Sequence, residues 1–181
     1  MTALLACASL LLGQGNRLED GGKFKNAFNA AKEDLRVVIV LAPTCATCLN
    51  GAKDVQDHVL TKVKDDRLKV FIIWAPAYGT DSNEMAIQGT QLATDKRVRH
   101  FWDAKSELAL DFGKVVTVPR DSPLAYDVYF IYQPGTVYKD KAPVPFDYLH
   151  QILDGPKFFE PEKFVPMIQK QLDKLPKKKP A

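Results

Sequence analysis

Apolar residues run through this chain in two rhythms. From Leu35 to Ala42 (LRVVIVLA) and from Leu68 to Ala75 (LKVFIIWA) they are nearly continuous and rich in β-branched types. That is the pattern of strands buried on both faces of a parallel or mixed sheet. Between them, after a Pro43-Thr44 break, Leu49, Ala52, Val55, Val59, Leu60 and Val63 recur at helical spacing. This predicts a helix of about five turns beginning at Cys45, and with its flanking strands a β-α-β unit.

The flanks follow the same logic. Phe24, Ala27, Phe28 and Ala31 predict a short amphipathic helix ending near Asp34. After a polar loop past Pro76, a helix is expected over Glu84 to Thr94, a strand over Val98 to Trp102 and a helix over Ala104 to Phe112. Asp127 to Tyr132 (DVYFIY) reads as a strand that turns at Gln133-Pro134-Gly135 and is answered by Thr136 to Lys139 as an antiparallel hairpin. A proline-rich excursion (Ala142 to Phe146) and a helical fragment around Tyr148 to Ile152 follow. The last helix starts near Glu160-Pro161-Glu162 and turns Phe164, Ile168 and Leu172 inward. No internal repeat is present, and the fold class is α/β.

Three cysteines are too few to build a disulfide scaffold. Cys7 stands alone, whereas Cys45 and Cys48 form C-A-T-C at the junction of a buried strand and a helix. There the unpaired N–H groups of the helix start would lower the pKa of Cys45 and populate its thiolate. Cys48, one turn deeper, reaches back to close a disulfide, so the spacing assigns attack to Cys45 and resolution to Cys48. CxxC can also be half of a metal site, and a structural disulfide is a third reading. His58 lies on the same helix about 20 Å from Cys45 and cannot share an ion with it. His100, His150 and Asp127 remain open as partners in a copper or zinc site, although no resident metal and no cofactor is expected.

With strand, Pro-Thr lead-in, CxxC and helix in that order, the chain resembles the thioredoxin-like family over about Phe24 to Leu175. It looks closest to exported bacterial thioredoxin-like proteins, in which segments such as VFIIWAP (Val70 to Pro76), Trp102-Asp103 and a Tyr-Asp entry to the late strand recur. The resemblance implies a central mixed four- to five-stranded sheet flanked by helices, with insertions near residues 76–125 and 140–156. It implies a thiol–disulfide oxidoreductase acting on protein thiols or disulfides with an unidentified redox partner, as a monomer. The alternative is a thioredoxin-fold binding module whose CxxC holds a metal ion or a fixed disulfide. Two family features are missing. The cis-proline that faces the CxxC would fall near Tyr126-Asp127, and the available Pro123 stands four residues early. The buried acid expected in the strand before the motif is also absent, since Val37 to Leu41 is wholly apolar. Asp127 is the substitute, expected to abut the cysteines and accept the proton of Cys48. Pro43, Thr44, Trp74, Tyr126 and Pro123 are expected to wall a substrate groove, together with Trp102 and, less so, Tyr78.

Composition sharpens this reading without changing it. The chain has 181 residues, 46% hydrophobic and 26% charged, which suits one folded domain. The net charge of +3 sits in the tail: from Lys170 onward five lysines oppose only Asp173, so the first 169 residues carry about −1. A basic groove interleaved with aromatics is not visible in that body, and no nucleic-acid partner is expected. The tail (176–181) suits at most weak contact with anionic lipid. Met1 to Gly15 (MTALLACASLLLGQG) resembles a secretory leader without its basic start, which predicts export to the periplasm or medium. Leu4-Leu5-Ala6-Cys7 also resembles a lipoprotein cleavage box. A short N-terminal helix in a cytoplasmic protein is the remaining alternative. The expected domain is 16–175.

Overall fold

The computed structural model describes residues 17–117 and 122–176, so the leader with Cys7 and most of the basic tail lie outside the described residues. Six strands form one sheet: β1 (Leu18–Asp20), β2 (Leu35–Leu41), β3 (Leu68–Trp74), β4 (Val98–Trp102), β5 (Val128–Tyr132) and β6 (Asp147–His150). Their order is β1-β4-β3-β2-β5-β6, with the first four mutually parallel, β5 antiparallel to β2 and β6 antiparallel to β5. The helices are α1 (Phe24–Ala30), α2 (Ala46–Asp54), α3 (Asn83–Gly89), α4 (Glu107–Gly113) and α5 (Pro161–Leu172). A π-helical segment, Val55–Leu60, prolongs α2, and this accounts for most of the long helix expected from Cys45.

The continuous apolar runs are buried on both faces because alternate residues serve two cores. Val37, Ile39 and Leu41 of β2 pack with Ala52, Val55, Phe164 and Ile168 on the side of α2 and α5. Val38 and Val40 face Phe24, Phe28, Phe112 and Phe130 on the side of α1 and α4. The second core is an aromatic cluster in which the Phe24 ring meets Phe71, Phe101, Phe112 and Tyr138 edge-on, at 5.4 to 6.1 Å. Edge-to-face packing aligns ring edges with the electron-rich faces of their neighbours.

Four sequence expectations are corrected. The sheet has six strands rather than four or five, because Leu18–Asp20 pairs in parallel with β4. Three residues are too few for a periodicity signal; the pairing is reinforced by Arg99, which grips Glu19 with two bonds of 2.8 Å. Residues 136–139 do not answer β5 as a hairpin. Their backbone is claimed by side chains instead: buried Arg36 donates to the carbonyls of Gln133 (2.6 Å) and Thr136 (2.8 Å), and Asn29 bonds both the N–H and C=O of Tyr138. Tyr148 and its neighbours are strand, not helix, and β6 is the true antiparallel partner of β5. The helix expected to run on to Asp34 stops at Ala30, after which the chain turns into β2.

Trp74 ends β3 fully buried, and its indole N–H donates to His100 Nδ1 at 3.1 Å. The other ring nitrogen of His100 then carries the proton and donates to the Ala93 carbonyl at 2.8 Å. Burial lowers the His100 pKa from 6.5 to about 4. Stability is therefore whole above pH 6.5 and falls as pH drops through that window, since only the unfolded chain takes up the proton there. The expected loss is about 3 kcal/mol by pH 4. Urea unfolding of His100→Gln should show a flatter limb between pH 6.5 and 4 than the wild type, and parallel limbs would refute the assignment.

Candidate active site

β2 delivers the chain through Ala42 and Pro43 to Cys45, which caps α2 in an extended conformation (φ −80°, ψ 118°) and leaves the first N–H groups of the helix facing its sulfur. Cys48, one turn on, is fully buried, whereas Cys45 is partly exposed. Both are free thiols. The Cys45 pKa is pushed down from 9.0 to about 5, first by a hydrogen bond from the Cys48 thiol, with partial burial opposing, and then by the Thr47 hydroxyl and the N–H groups of Cys48 and Thr47. The Cys48 thiol is pushed well up, first by burial, then by the bond it gives to Cys45 and by the charge of Asp127. One sulfur is thus a nucleophile in reach of solvent, and the other a protonated thiol behind it.

Asp127 faces this pair from the mouth of β5. It is 3% exposed, holds a left-handed φ of 60°, and its backbone N–H donates to the Val40 carbonyl at 2.7 Å. Aspartate tolerates that conformation better than most residues. The two sulfurs and an Asp127 oxygen all lie within 4.8 Å of one another. Thr47 joins them: its hydroxyl sits 3.0 Å from Cys45 Sγ and 2.8 Å from Asp127 Oδ2. That hydroxyl has one proton for two acceptors, so it donates to the Cys45 thiolate or to the carboxylate, not to both at once. Cys45, Thr47 and Asp127 therefore form a hydrogen-bonded chain along which a thiol proton has a path to the carboxylate.

An open cavity of about 640 Å³ lies over Cys45, lined by Thr44 to Thr47 on one side and Tyr78, Gly79 and Thr80 on the other. Asp81 pins this facing loop. Its Oδ1 accepts from the Thr44 N–H (2.8 Å) and hydroxyl (2.6 Å), and its Oδ2 from the N–H groups of Ala77 and Tyr78, both at 2.8 Å. Tyr78 donates to the Tyr126 hydroxyl at 3.2 Å, so Tyr126 belongs to the same wall. Pro43 and Thr44 also edge a second groove with Leu49, Met85 and Leu92.

Three expected groove residues are placed elsewhere. Trp74 is buried against Gly89 and His100 and presents no surface. Pro123 lies at the end of α4, its carbonyl against Gly113, and no cis peptide bond occurs among the described residues. Trp102 lines a different cavity, with Asp20 and Asp103. Sequence reasoning did not single out Asp81, Tyr129 or Gly51. Asp81 carried a faint signal as the sole acid of the loop 76–82.

No family model matches the chain, and no curated protein does. Among solved structures it superposes on DsbF from MTB, described in its mixed oxidized and reduced forms, with a TM-score of 0.52 and 15% identity over 79% of this chain and 84% of that one. A thioredoxin-like protein in the oxidized form gives a TM-score of 0.51 and 16% identity over 76% and 79%. The chain has a thioredoxin-like fold. Within that fold the CxxC occupies the tip of the helix that follows the central strand, and an aspartate faces it.

Proposed function

We propose that this protein is a thiol–disulfide oxidoreductase for protein substrates. The observation that supports it best is the division of labour at the CxxC: a partly exposed Cys45 with a depressed pKa in front of a buried, protonated Cys48. In the reducing direction, the Cys45 thiolate attacks one sulfur of a substrate disulfide, forming a mixed disulfide and expelling the other substrate sulfur as thiolate. Cys48 then loses its proton, with Asp127 as the acceptor beside it, and attacks Cys45 Sγ. The Cys45–Cys48 disulfide forms as the second substrate thiolate leaves, and two electrons pass to the substrate. The reverse sequence oxidises a dithiol. The cavity walled by Tyr78 and Tyr126 would receive the substrate segment.

The uncharged, mostly apolar run from Ala3 to Leu12 supports export as the setting, where such chemistry meets protein disulfides. Action as a monomer, with the basic tail giving at most weak contact with anionic lipid, completes the reading. Cys48→Ser tests it by removing the resolving sulfur while leaving the nucleophile. Cells producing this variant should accumulate mixed disulfides that disappear on reduction and in Cys45→Ser/Cys48→Ser. If Cys48→Ser accumulates none beyond the double variant, the exchange reading fails.

A further inference from the structure

We propose that Cys45, Cys48 and Asp127 of the reduced protein form a Zn²⁺ site with three protein ligands and one open position. The same two sulfurs then hold either a metal ion or a disulfide. This goes beyond disulfide exchange and does not depend on it.

The ligand types and their placement carry the inference. Two cysteine sulfurs and a carboxylate are a zinc donor set. Zn–S near 2.3 Å and Zn–O near 2.1 Å put ligand atoms of a tetrahedron about 3.6 to 3.8 Å apart. Here the three atoms already lie within 4.8 Å of one another, so closing on an ion takes about an ångström of side-chain movement. They come from two elements locked by the sheet, the start of α2 and the mouth of β5. Among the described residues, no other three His, Cys, Asp or Glu side chains converge in this way.

The surroundings fit a coordinating carboxylate. Oδ2 of Asp127 accepts from Thr47 at 2.8 Å, while the one proton of the nearby Tyr129 hydroxyl goes to Gln151. Hydrogen bonds of this outer kind fix the orientation of metal-binding carboxylates. Charge points the same way, because two thiolates beside a carboxylate would place three negative charges together, and a dication offsets two of them. On binding, the Cys48 proton leaves to solvent, no electron moves, and the fourth position, on the Cys45 side, opens to the cavity with water as its ligand. An ion so placed blocks disulfide formation, and a disulfide excludes the ion.

Cobalt(II) is the probe, because tetrahedral thiolate ligation gives it visible d–d bands and near-ultraviolet charge-transfer bands. The full reduced chain, titrated without oxygen, should take one equivalent with these bands, lose them to one equivalent of Zn²⁺, and show none once oxidised. Cys48→Ser should lose the charge-transfer intensity, and Asp127→Ala should weaken affinity at least tenfold with a changed d–d spectrum. Asp127→Asn replaces it if the alanine variant does not fold. Absence of stoichiometric binding by the reduced wild type overturns the site. An unchanged spectrum and affinity in the Asp127 variant overturns the three-ligand assignment. Neither readout involves substrate turnover, so loss of the exchange reading would leave this result standing, and the converse also holds.

Discussion

Gly51→Ala is expected to destabilise the protein by roughly 2 to 3 kcal/mol, the opposite of what the substitution does in most helices. Alanine inside a helix ordinarily gains up to about 1 kcal/mol over glycine. At Gly51, however, a Cβ would sit 1.7 Å from the Tyr129 hydroxyl oxygen and 2.6 Å from Gln151 Oε1. The tyrosine cannot swing aside. Its ring is fully buried and stacked on Phe159 with centroids 3.9 Å apart, and Phe164 closes on it at 6.2 Å. Its hydroxyl donates to Gln151 at 2.6 Å. Relief must come from shifting α2 outward, which disturbs the CxxC at its tip. Tyr129→Phe removes the clashing oxygen and leaves the ring. The double variant Gly51→Ala/Tyr129→Phe should therefore recover much of the loss, a coupling that a double-mutant cycle in urea measures directly. Additive effects of the two substitutions would show that the clash is not what glycine avoids.

This contact illustrates what the sequence made legible. The strands β2 and β3 and the CxxC helix between them were readable because burial on two faces and a 3.6-residue period leave strong local signals. The contrast between a partly exposed Cys45 and a buried Cys48 followed from their places at the start of the helix and one turn into it. Asp127 was found by counting back from the Pro134-Gly135 turn, because β5 is regular up to its first residue. What stayed hidden depended on contacts between distant parts of the chain. Gly51 looks like an ordinary helix blemish until Tyr129, 78 residues later, is seen to need its space. The hairpin expected at 136–139 failed because Arg36, embedded in an apolar run, captures the carbonyls that a strand partner would have used. Trp74 was misplaced for a related reason. An aromatic at a strand end reads equally well as a groove wall or as core, and the buried imidazole that decides the matter lies on β4. The thioredoxin-like order of elements survives all of these differences, since it rests on the buried strands.

The reduction potential of the Cys45–Cys48 pair should bend with pH near 5, where Cys45 titrates. Below the bend, reducing the disulfide takes up two protons and the potential falls by about 59 mV per pH unit. Above it Cys45 stays a thiolate, only Cys48 is protonated, and the slope halves to about 30 mV per pH unit. An ordinary dithiol keeps the steep slope to about pH 8.5, the usual thiol pKa. Stabilising the thiolate favours the reduced protein. At pH 7, two units above the bend, this raises the potential by about 60 mV, toward the oxidising side. Thr47→Val tests the cause. It removes a hydroxyl that stabilises the thiolate but not the Cys48 thiol, whose hydrogen bond is the larger contribution. The bend should therefore move up by about one pH unit and no further, the loss of one hydrogen bond to a charged group. Glutathione equilibration from pH 4 to 9 gives the slope, and the rate of Cys45 alkylation gives the same midpoint independently. A single steep slope through pH 8, with alkylation rising only above that pH, would mean that Cys45 is an ordinary thiol and that the helix tip does not activate it.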